Sequence, residues 1–232
     1  MSMTLYHGEP NGPSFTVLAA LFEKNLQAKL VYVDLAAGGR QKLPCAQQPE
    51  VAMSVEGEGA VLVVDGEGMA DSVFIACYLD DVGSGAALRP VEPYARWETM
   101  AWCRQLTERT APAAAYLGCR AYPPKAGPAA GHTDDRRADC ETKVTQAVVK
   151  IEAQLAGRQW LMGPFSIADL ESYAWLAGMV ELVPSAFAGQ ARTVQWLARV
   201  KGRAAVAKAL SLAHAVDPVR CWAPGPEINR WG

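Results

Sequence analysis

The stretch 61–79 constrains the fold of this chain more than any other part of the sequence. It opens with four consecutive apolar residues and then the pair Asp65-Gly66, which is the strongest two-residue hairpin signal in the chain. A second short strand signal leads to Asp71 and Ser72, after which an apolar helix pattern runs to Leu79. The stretch therefore predicts a β-β-α unit whose helix begins with an acid and a hydroxyl.

The residues before this unit predict a β-α-β arrangement. A strand signal at Thr4–His7 is followed by a run of Gly and Pro, and then by Ser14, which opens a helix with apolar residues at i, i+3, i+4 and i+7 spacing. Leu30–Val33 is the second strand signal. Strand, helix and strand in this order favour a parallel pair joined by a right-handed crossover.

The chain changes character after residue 81. The run Val82-Gly83-Ser84-Gly85 has the composition of a linker, and the patterns that follow it are helical. One long amphipathic pattern covers 93–116, and another helix pattern covers 134–155. Ser166 and Asp169 have the spacing of a capping box in front of an apolar stretch, which predicts a buried helix there.

Composition and charge exclude several function classes. The chain has 22 Lys plus Arg against 24 Asp plus Glu and no basic run, so we expect no nucleic-acid partner. The amino terminus lacks the features of a signal peptide and no apolar run can span a bilayer, so we expect a cytoplasmic protein with no membrane partner. The six cysteines lack metal-ligand spacing, and no metal site is expected.

Asp71 and Ser72 are the first candidate binding residues. A helix N-terminus presents unpaired backbone N–H groups and a partial positive charge. An acid and a hydroxyl at that position can bind a ligand that carries both an ammonium and a carboxylate group. The alternative is that the two residues only cap the helix, a contribution of about 1 kcal/mol. Both interpretations stay open at the level of the sequence.

The order of these elements, with the acid-Ser pair, the Gly-containing linker and the Ser-x-x-Asp motif, resembles the cytosolic glutathione S-transferases over essentially the whole chain. Within that superfamily, the segments Tyr6–Asp34, Tyr78–Asp81 and Leu88–Pro90 look most like bacterial β-etherases. Those enzymes use glutathione to cleave β-aryl ethers of lignin-derived aromatics. The resemblance implies glutathione as co-substrate and an aromatic β-aryl ether as substrate.

The resemblance also implies an α/β plus all-α fold with the glutathione transferase architecture. We expect a thioredoxin-like, glutathione-binding domain at 1–81, a linker at 82–92 and a helical domain at 93–232. Proteins of this architecture are usually dimers, so a homologous subunit or a second copy of the chain is the expected protein partner.

The chemistry of the family needs the glutathione sulfur as a thiolate, although a free thiol has a pKa of about 8.5. A hydroxyl near the start of the first helix, aided by the helix dipole, is the usual device, and the resemblance makes Ser14 the candidate catalytic residue. An ordinary N-cap is the alternative role for Ser14. The resemblance assigns glutathione contacts to Gly59, Ala60, Val61, Asp71 and Ser72.

Two positions depart from the family pattern. The β-etherases carry an Asn immediately before the helix Ser, whereas this chain has Pro13, which has no donor group. The family keeps a cis-proline before the third strand, but this chain has Gly59-Ala60 there, and a cis bond before alanine costs about 3 kcal/mol. We therefore expect a trans peptide, with the peptide groups of Gly59 turned away from glutathione, and an impaired glutathione site.

Our leading hypothesis is a β-etherase subunit with an impaired glutathione site that works with a competent homologous subunit in a heterodimer. One alternative is a self-sufficient enzyme in which Ser14 activates glutathione. Another is a non-enzymatic binding protein on the same fold.

Arg40, Gln41 and Lys42 lie where the resemblance places the glycyl carboxylate of glutathione, but we interpret them as a solvated face. An aromatic-substrate pocket is the alternative for four aromatic residues that we interpret as core: Trp97, Trp102, Tyr116 and Tyr122. His7 and His132 lack a partner cluster.

Overall fold

The computed structural model describes residues 2–35, 38–54, 56, 59–121 and 134–215 of the chain, so Tyr122 and His132 lie outside the described residues. Its amino-terminal part is a four-stranded sheet with three helices. The elements of this part are β1 (Met3–His7), α1 (Gly12–Glu23), β2 (Lys29–Tyr32), a 3-10 turn (Gly39–Lys42), α2 (Pro49–Ala52), β3 (Val61–Val64), β4 (Glu67–Met69) and α3 (Ser72–Val82).

The sheet has the mixed strand order β2-β1-β3-β4. Strands β1 and β2 are parallel, with Thr4 opposite Lys29, and α1 makes the crossover between them, as the β-α-β pattern predicts. Strand β3 is antiparallel to both β1 and β4. The β3–β4 turn has positive φ at Asp65 and Gly66, 49° and 99°, which is the backbone that a tight two-residue hairpin requires.

Helices make up the rest of the described chain. The patterns at 93–116 and 134–155 are confirmed as helices, but the first is interrupted by a π-helical turn that the sequence did not predict. The elements are α4 (Pro93–Gln105), the π turn (Leu106–Thr110), α5 (Ala111–Ala121), α6 (Asp134–Gln154), α7 (Ile167–Leu176), α8 (Met179–Leu182), α9 (Pro184–Phe187), α10 (Ala191–Lys201) and α11 (Ala204–Leu210).

Helix α1 joins the sheet to the helical part, because it packs against α3 on one side and against α7 and α11 on the other. The ring of Phe15 in α1 lies 4.9 Å from the ring of Tyr173 in α7, measured between centroids. One continuous apolar core contains both of these elements. The first turn of α1, where Ser14 lies, is therefore held at the junction of the two parts.

This architecture is the expected α/β plus all-α class, with a thioredoxin-like sheet unit followed by a helical bundle. The division into 1–81, 82–92 and 93–232 stays a prediction. None of the described helices is both long and apolar enough to cross a membrane.

Candidate functional site

Ser14 lies in the first turn of α1 and its hydroxyl is oriented by the backbone. The helix begins at Gly12 with Asn11 as its N-cap, so the interpretation of Ser14 as an opening residue or N-cap is wrong. The buried Oγ of Ser14 accepts a hydrogen bond from the N–H of Gly8 at 3.0 Å. Within the described chain nothing accepts the Ser14 proton, so this hydroxyl can donate to an anion at the start of α1.

Asp71 is the N-cap residue of α3, but its side chain makes no cap hydrogen bond with the described residues of that helix. The interpretation of the Asp71 carboxylate as a simple cap is therefore wrong. Instead it accepts a hydrogen bond from the hydroxyl of Ser54 at 2.7 Å. The backbone of Asp71 has a φ of 67°, a strained value for a residue other than glycine, and such strain is typical of functional sites.

Ser72, the first residue of α3, binds a carboxyl group of the same chain. The backbone N–H of Ser72 donates to Oε2 of Glu56 at 2.8 Å, and the Ser72 hydroxyl is hydrogen-bonded to Oε1 of the same group. Glu56 is 5% exposed and Ser72 is fully buried. The start of α3 is therefore a carboxylate-binding site, and in this structure a side chain occupies it.

Gly59 makes room for the carboxyl group of Glu56. A Cβ atom added at Gly59 would lie 2.7 Å from Oε2 of Glu56 and 3.4 Å from Cβ of Pro13. The carboxyl group therefore lies near the first turn of α1, which carries Ser14. These contacts bring Gly59 and Ser72, two of the predicted binding residues, next to the carboxyl group of Glu56.

A second buried acid, Glu171 of α7, faces this site from the helical part. Its Oε2 accepts from the hydroxyl of Thr16 at 2.7 Å and its Oε1 from the indole N–H of Trp175 at 2.8 Å. A hydrogen bond from the Ser72 hydroxyl also lowers the pKa of Glu171, although burial raises it overall. The Ser72 hydroxyl therefore lowers the pKa of both buried acids, against the effect of burial.

The electrostatics of this site favour the protonated form of Glu56. Burial, followed by the charge of Glu171, raises the pKa of Glu56 from 4.5 to about 8, against the lowering effect of the Ser72 hydrogen bonds. The nearby carboxylate of Asp71 acts in the same direction as burial. Glu56 therefore occupies the α3 site mainly as a neutral acid at pH 7.

Arg40 holds the segment that carries Glu56, and this role corrects its interpretation as part of a solvated face. The side chain is 3% exposed. Its guanidinium donates to the carbonyl of Val51 at 2.9 Å and to the carbonyl of Gly59 at 3.4 Å. Gln41 and Lys42 are exposed, so the interpretation holds for those two residues.

Ala60 and Val61, the other predicted glutathione contacts, are fully buried at the start of β3. The peptide before Ala60 is trans. The carbonyl of Gly59 accepts a hydrogen bond from Arg40. That the peptide groups of Gly59 are turned away from glutathione stays a prediction.

His7 belongs to a cluster beside Ser14, so the statement that it lacks one is wrong. Its ring lies edge-on to Tyr32 at 6.1 Å, and Tyr32 stacks on His214 at 3.8 Å, both between centroids. The Tyr32 hydroxyl donates to Glu9 at 2.9 Å, and Glu9 also accepts the backbone N–H of His214 at 3.0 Å. Burial lowers the pKa of His7. The cluster lies next to Glu9, in the segment between β1 and α1.

The aromatic residues of α4 and α5 do not form a single pocket wall. Trp102 is in the core with its indole N–H bonded to Ser172 at 3.0 Å, and Tyr116 is buried, whereas Trp97 is 61% exposed. The core interpretation is therefore right for Trp102 and Tyr116 and wrong for Trp97. Among the described residues no cluster of possible metal ligands is found.

Comparison with known proteins gives a consistent picture of the fold. No family model matches the chain. The crystal structure of the β-etherase LigF from Sphingobium sp. strain SYK-6 superposes with a TM-score of 0.78 and 23% identity, over 91% of this chain and 99% of LigF. The crystal structure of a glutathione transferase family member from Pseudomonas fluorescens, with two glutathione molecules bound, superposes with a TM-score of 0.72 and 21% identity. The match covers 90% of this chain and 92% of the Pseudomonas chain. The chain therefore has the glutathione transferase fold.

The sequence comparison points to a particular relative within that fold. Protein LigF of Sphingobium sp. is 32% identical over 110 residues, which is 47% of this chain and 41% of LigF. The sequence match thus covers less than half of LigF's length. The chain resembles β-etherases of the LigF type.

Proposed function

We propose that this chain is a subunit of a glutathione-dependent β-etherase and that its own glutathione site is impaired. The observation that carries the proposal is the carboxyl group of Glu56 on Ser72, at the position where the family resemblance places the γ-glutamyl end of glutathione. Asp71 is engaged by Ser54 and the Gly59 carbonyl by Arg40, so three expected contacts already have partners in the chain.

A competent homologous subunit would supply the reaction. Its glutathione thiolate attacks the ether-bearing carbon, the C–S bond forms as the C–O bond breaks, and the phenolate leaves with the electron pair. The stacked rings of Tyr32 and His214, which lie beside the segment leading into α1, support an aromatic substrate there. The free thiols of the described cysteines fit a reducing compartment, for which we propose the cytoplasm.

An exposed apolar patch on α3 and α4 supports association with a second subunit. Cys77 of α3 contacts Met100 of α4. One turn before each of them lie Phe74 and Trp97, which are 67% and 61% exposed. Large exposed aromatic residues on adjacent helices are typical of protein interfaces. The same patch would serve a homodimer or a heterodimer.

A second candidate function is a self-sufficient enzyme. The orientation of the Ser14 hydroxyl by Gly8, with its proton left for a ligand, favours this candidate. It requires glutathione to displace Glu56 from Ser72. Turnover of a β-aryl ether by the isolated chain, lowered at least 100-fold in Ser14→Ala, would support it over the impaired subunit.

Calorimetric titration with glutathione tests the proposal. The chain is titrated alone, and again after co-expression and co-purification with a homologous glutathione transferase that keeps the proline before its third strand. We expect little heat from the isolated chain, and from the complex both binding and β-aryl ether turnover above that of the homologue alone. Micromolar binding by the isolated chain would contradict the proposal. No complex, no binding and no turnover would favour a non-enzymatic protein.

A further inference from the structure

The group bound at the start of α3 is chemically the same as one end of an amino-acid ligand. A free carboxylate at a helix N-terminus accepts from backbone N–H groups and from the hydroxyl of the first residue. Glu56 makes both of these contacts with Ser72. One carboxyl group therefore fills the two donors that a carboxylate ligand would need, and a second carboxylate has no donor left at Ser72.

Building on the proposed function, we propose that Glu56 sets the affinity of this chain for glutathione by occupying, in the free protein, the place of the γ-glutamyl carboxylate. Glutathione then binds only when its own carboxylate replaces the carboxyl group of Glu56 on Ser72. Glu56 is an affinity-determining residue in this proposal and takes no part in the chemistry.

The surroundings show that Glu56 is built into this position. Gly59 leaves the space for its Oε2 atom, since a Cβ there would approach to 2.7 Å. Arg40 bonds the carbonyls of Val51 and Gly59, on either side of Glu56 in the sequence. The N–H of Glu56 bonds in turn to the hydroxyl of Ser54, which itself donates to Asp71. The segment therefore engages both Asp71 and Ser72.

Three substitutions at Glu56 separate occupancy from charge. Glu56→Ala removes the occupant, and Glu56→Asp keeps the acid but withdraws it by one methylene group. Glu56→Gln keeps a group of the same shape on Ser72 without a charge. Glu50→Ala is the matched control, because Glu50 is an exposed acid on the neighbouring helix α2. Far-UV circular dichroism and a melting curve check that each variant is folded.

Each variant is titrated with two ligands, glutathione and a synthetic analogue that lacks the α-carboxylate of the γ-glutamyl residue. We expect Glu56→Ala to bind glutathione at least tenfold more tightly than the wild type and Glu56→Asp at least threefold. Glu56→Gln and Glu50→Ala are expected to stay within threefold of the wild type. The analogue should bind all of these proteins within twofold of one another, because it does not use Ser72.

Several results would overturn the role of Glu56. The first is an unchanged glutathione affinity in Glu56→Ala, and the second is an equal gain in affinity for glutathione and for the analogue. The third is a gain in glutathione affinity in Glu56→Gln as large as in Glu56→Ala. If Glu56→Ala does not fold, the affinity of Glu56→Asp for glutathione decides, and an unchanged affinity in that variant would overturn the role of Glu56. Rescue of binding by a homologous subunit without any gain in the Glu56 variants would leave the proposed function standing and refute this inference. Tighter glutathione binding by Glu56→Ala without any effect of a homologous subunit would support this inference and refute the proposed function.

Discussion

Two helices of this molecule begin in opposite ways. Helix α7 starts with a local capping box, in which Ser166 and Asp169 bond to each other through side chains and backbone. Helix α3 starts with Asp71, whose side chain does not cap it, and its first N–H is bound by Glu56, 16 residues earlier in the chain. The first arrangement depends on neighbours in sequence, whereas the second depends on tertiary structure.

The difference bears on the proposal that the α3 start can bind a ligand, because the two carboxyl groups are held by different numbers of donors. Asp169 is held by donors from three residues: the N–H groups of Leu161 and Ser166, and the indole N–H of Trp196. Glu56 is held at its carboxyl group by Ser72 alone among the described residues. A carboxyl group with several fixed donors stays in place, but one bound to a single residue can be replaced by another carboxylate.

The largest effect is expected at the α7 start. Asp169→Ala removes a fully buried carboxylate and leaves the buried donors of Leu161, Ser166 and Trp196 without acceptors. Because unsatisfied buried donors and the lost cap both cost free energy, the free energy of unfolding should fall by about 4 kcal/mol. Urea denaturation followed by circular dichroism measures it.

Asp139→Ala is the control for this prediction. Asp139 is an exposed acid of α6 paired with Lys143 one turn later, and its loss should cost less than about 0.5 kcal/mol. Equal destabilisation by the two substitutions would show that Asp169 has no special role at the start of α7.

The next largest loss of stability is expected at Arg40, which is hydrogen-bonded to the segment that brings Glu56 to the α3 start. Arg40→Ala leaves the buried carbonyls of Val51 and Gly59 without this donor, so we expect a loss of about 2 kcal/mol in the free energy of unfolding. Lys42→Ala, at an exposed position of the same turn, should stay within about 0.5 kcal/mol of the wild type. Similar urea midpoints for both variants would be evidence against a buried role for Arg40.

The sequence predicts the local features of this comparison and misses the tertiary ones. The capping box of α7 and the turn at Asp65-Gly66 are correctly predicted because their contacts lie within four residues along the chain. The start of α1 is predicted too late in the sequence. Asn11 is the N-cap, so Ser14 lies in the first turn of the helix and is not its cap.

The contacts of Glu56, Arg40 and Glu171 could not be read from their spacing. Glu56 lies in a Gly-rich segment without periodicity, and Arg40 lies in a charged run that resembles surface. Glu171 did carry a signal, since it is an acid beyond the capping box in the apolar stretch of α7, a helix that is buried along its whole length. Its partners Thr16 and Trp175 follow only from the packing of α1 against α7.

Stability between pH 5 and pH 8 should distinguish the two helix starts further. The folded pKa of Glu56 is about 8 and its ordinary value is 4.5, so in this window the folded chain holds a proton that the unfolded chain has lost. Its contribution to stability is complete below pH 4.5 and disappears as the pH rises through 8. One such proton changes the free energy of unfolding by at most about 1.4 kcal/mol per pH unit.

Urea denaturation at a series of pH values measures this effect. We expect the wild type to lose stability from pH 6 to pH 8 and Glu56→Gln to lose about 2 kcal/mol less over the same range. The raised pKa values of Asp169 and Glu171 account for the loss that remains in the variant. Glu50→Gln should follow the wild type, and parallel curves for wild type and Glu56→Gln would contradict the raised pKa.

The smallest effect isolates the backbone strain at the α3 start. Both Asp71→Gly and Asp71→Ala lose the hydrogen bond from Ser54, but only glycine accepts the φ of 67° without strain. We therefore expect the glycine variant to be more stable than the alanine variant by about 1 kcal/mol. At Glu92, the N-cap of α4 with an ordinary φ of −65°, the same two substitutions should differ by less than half of that. An equal difference at both positions would mean that the strain at Asp71 contributes nothing, and that the unusual start of α3 depends on Glu56 and Ser54 alone.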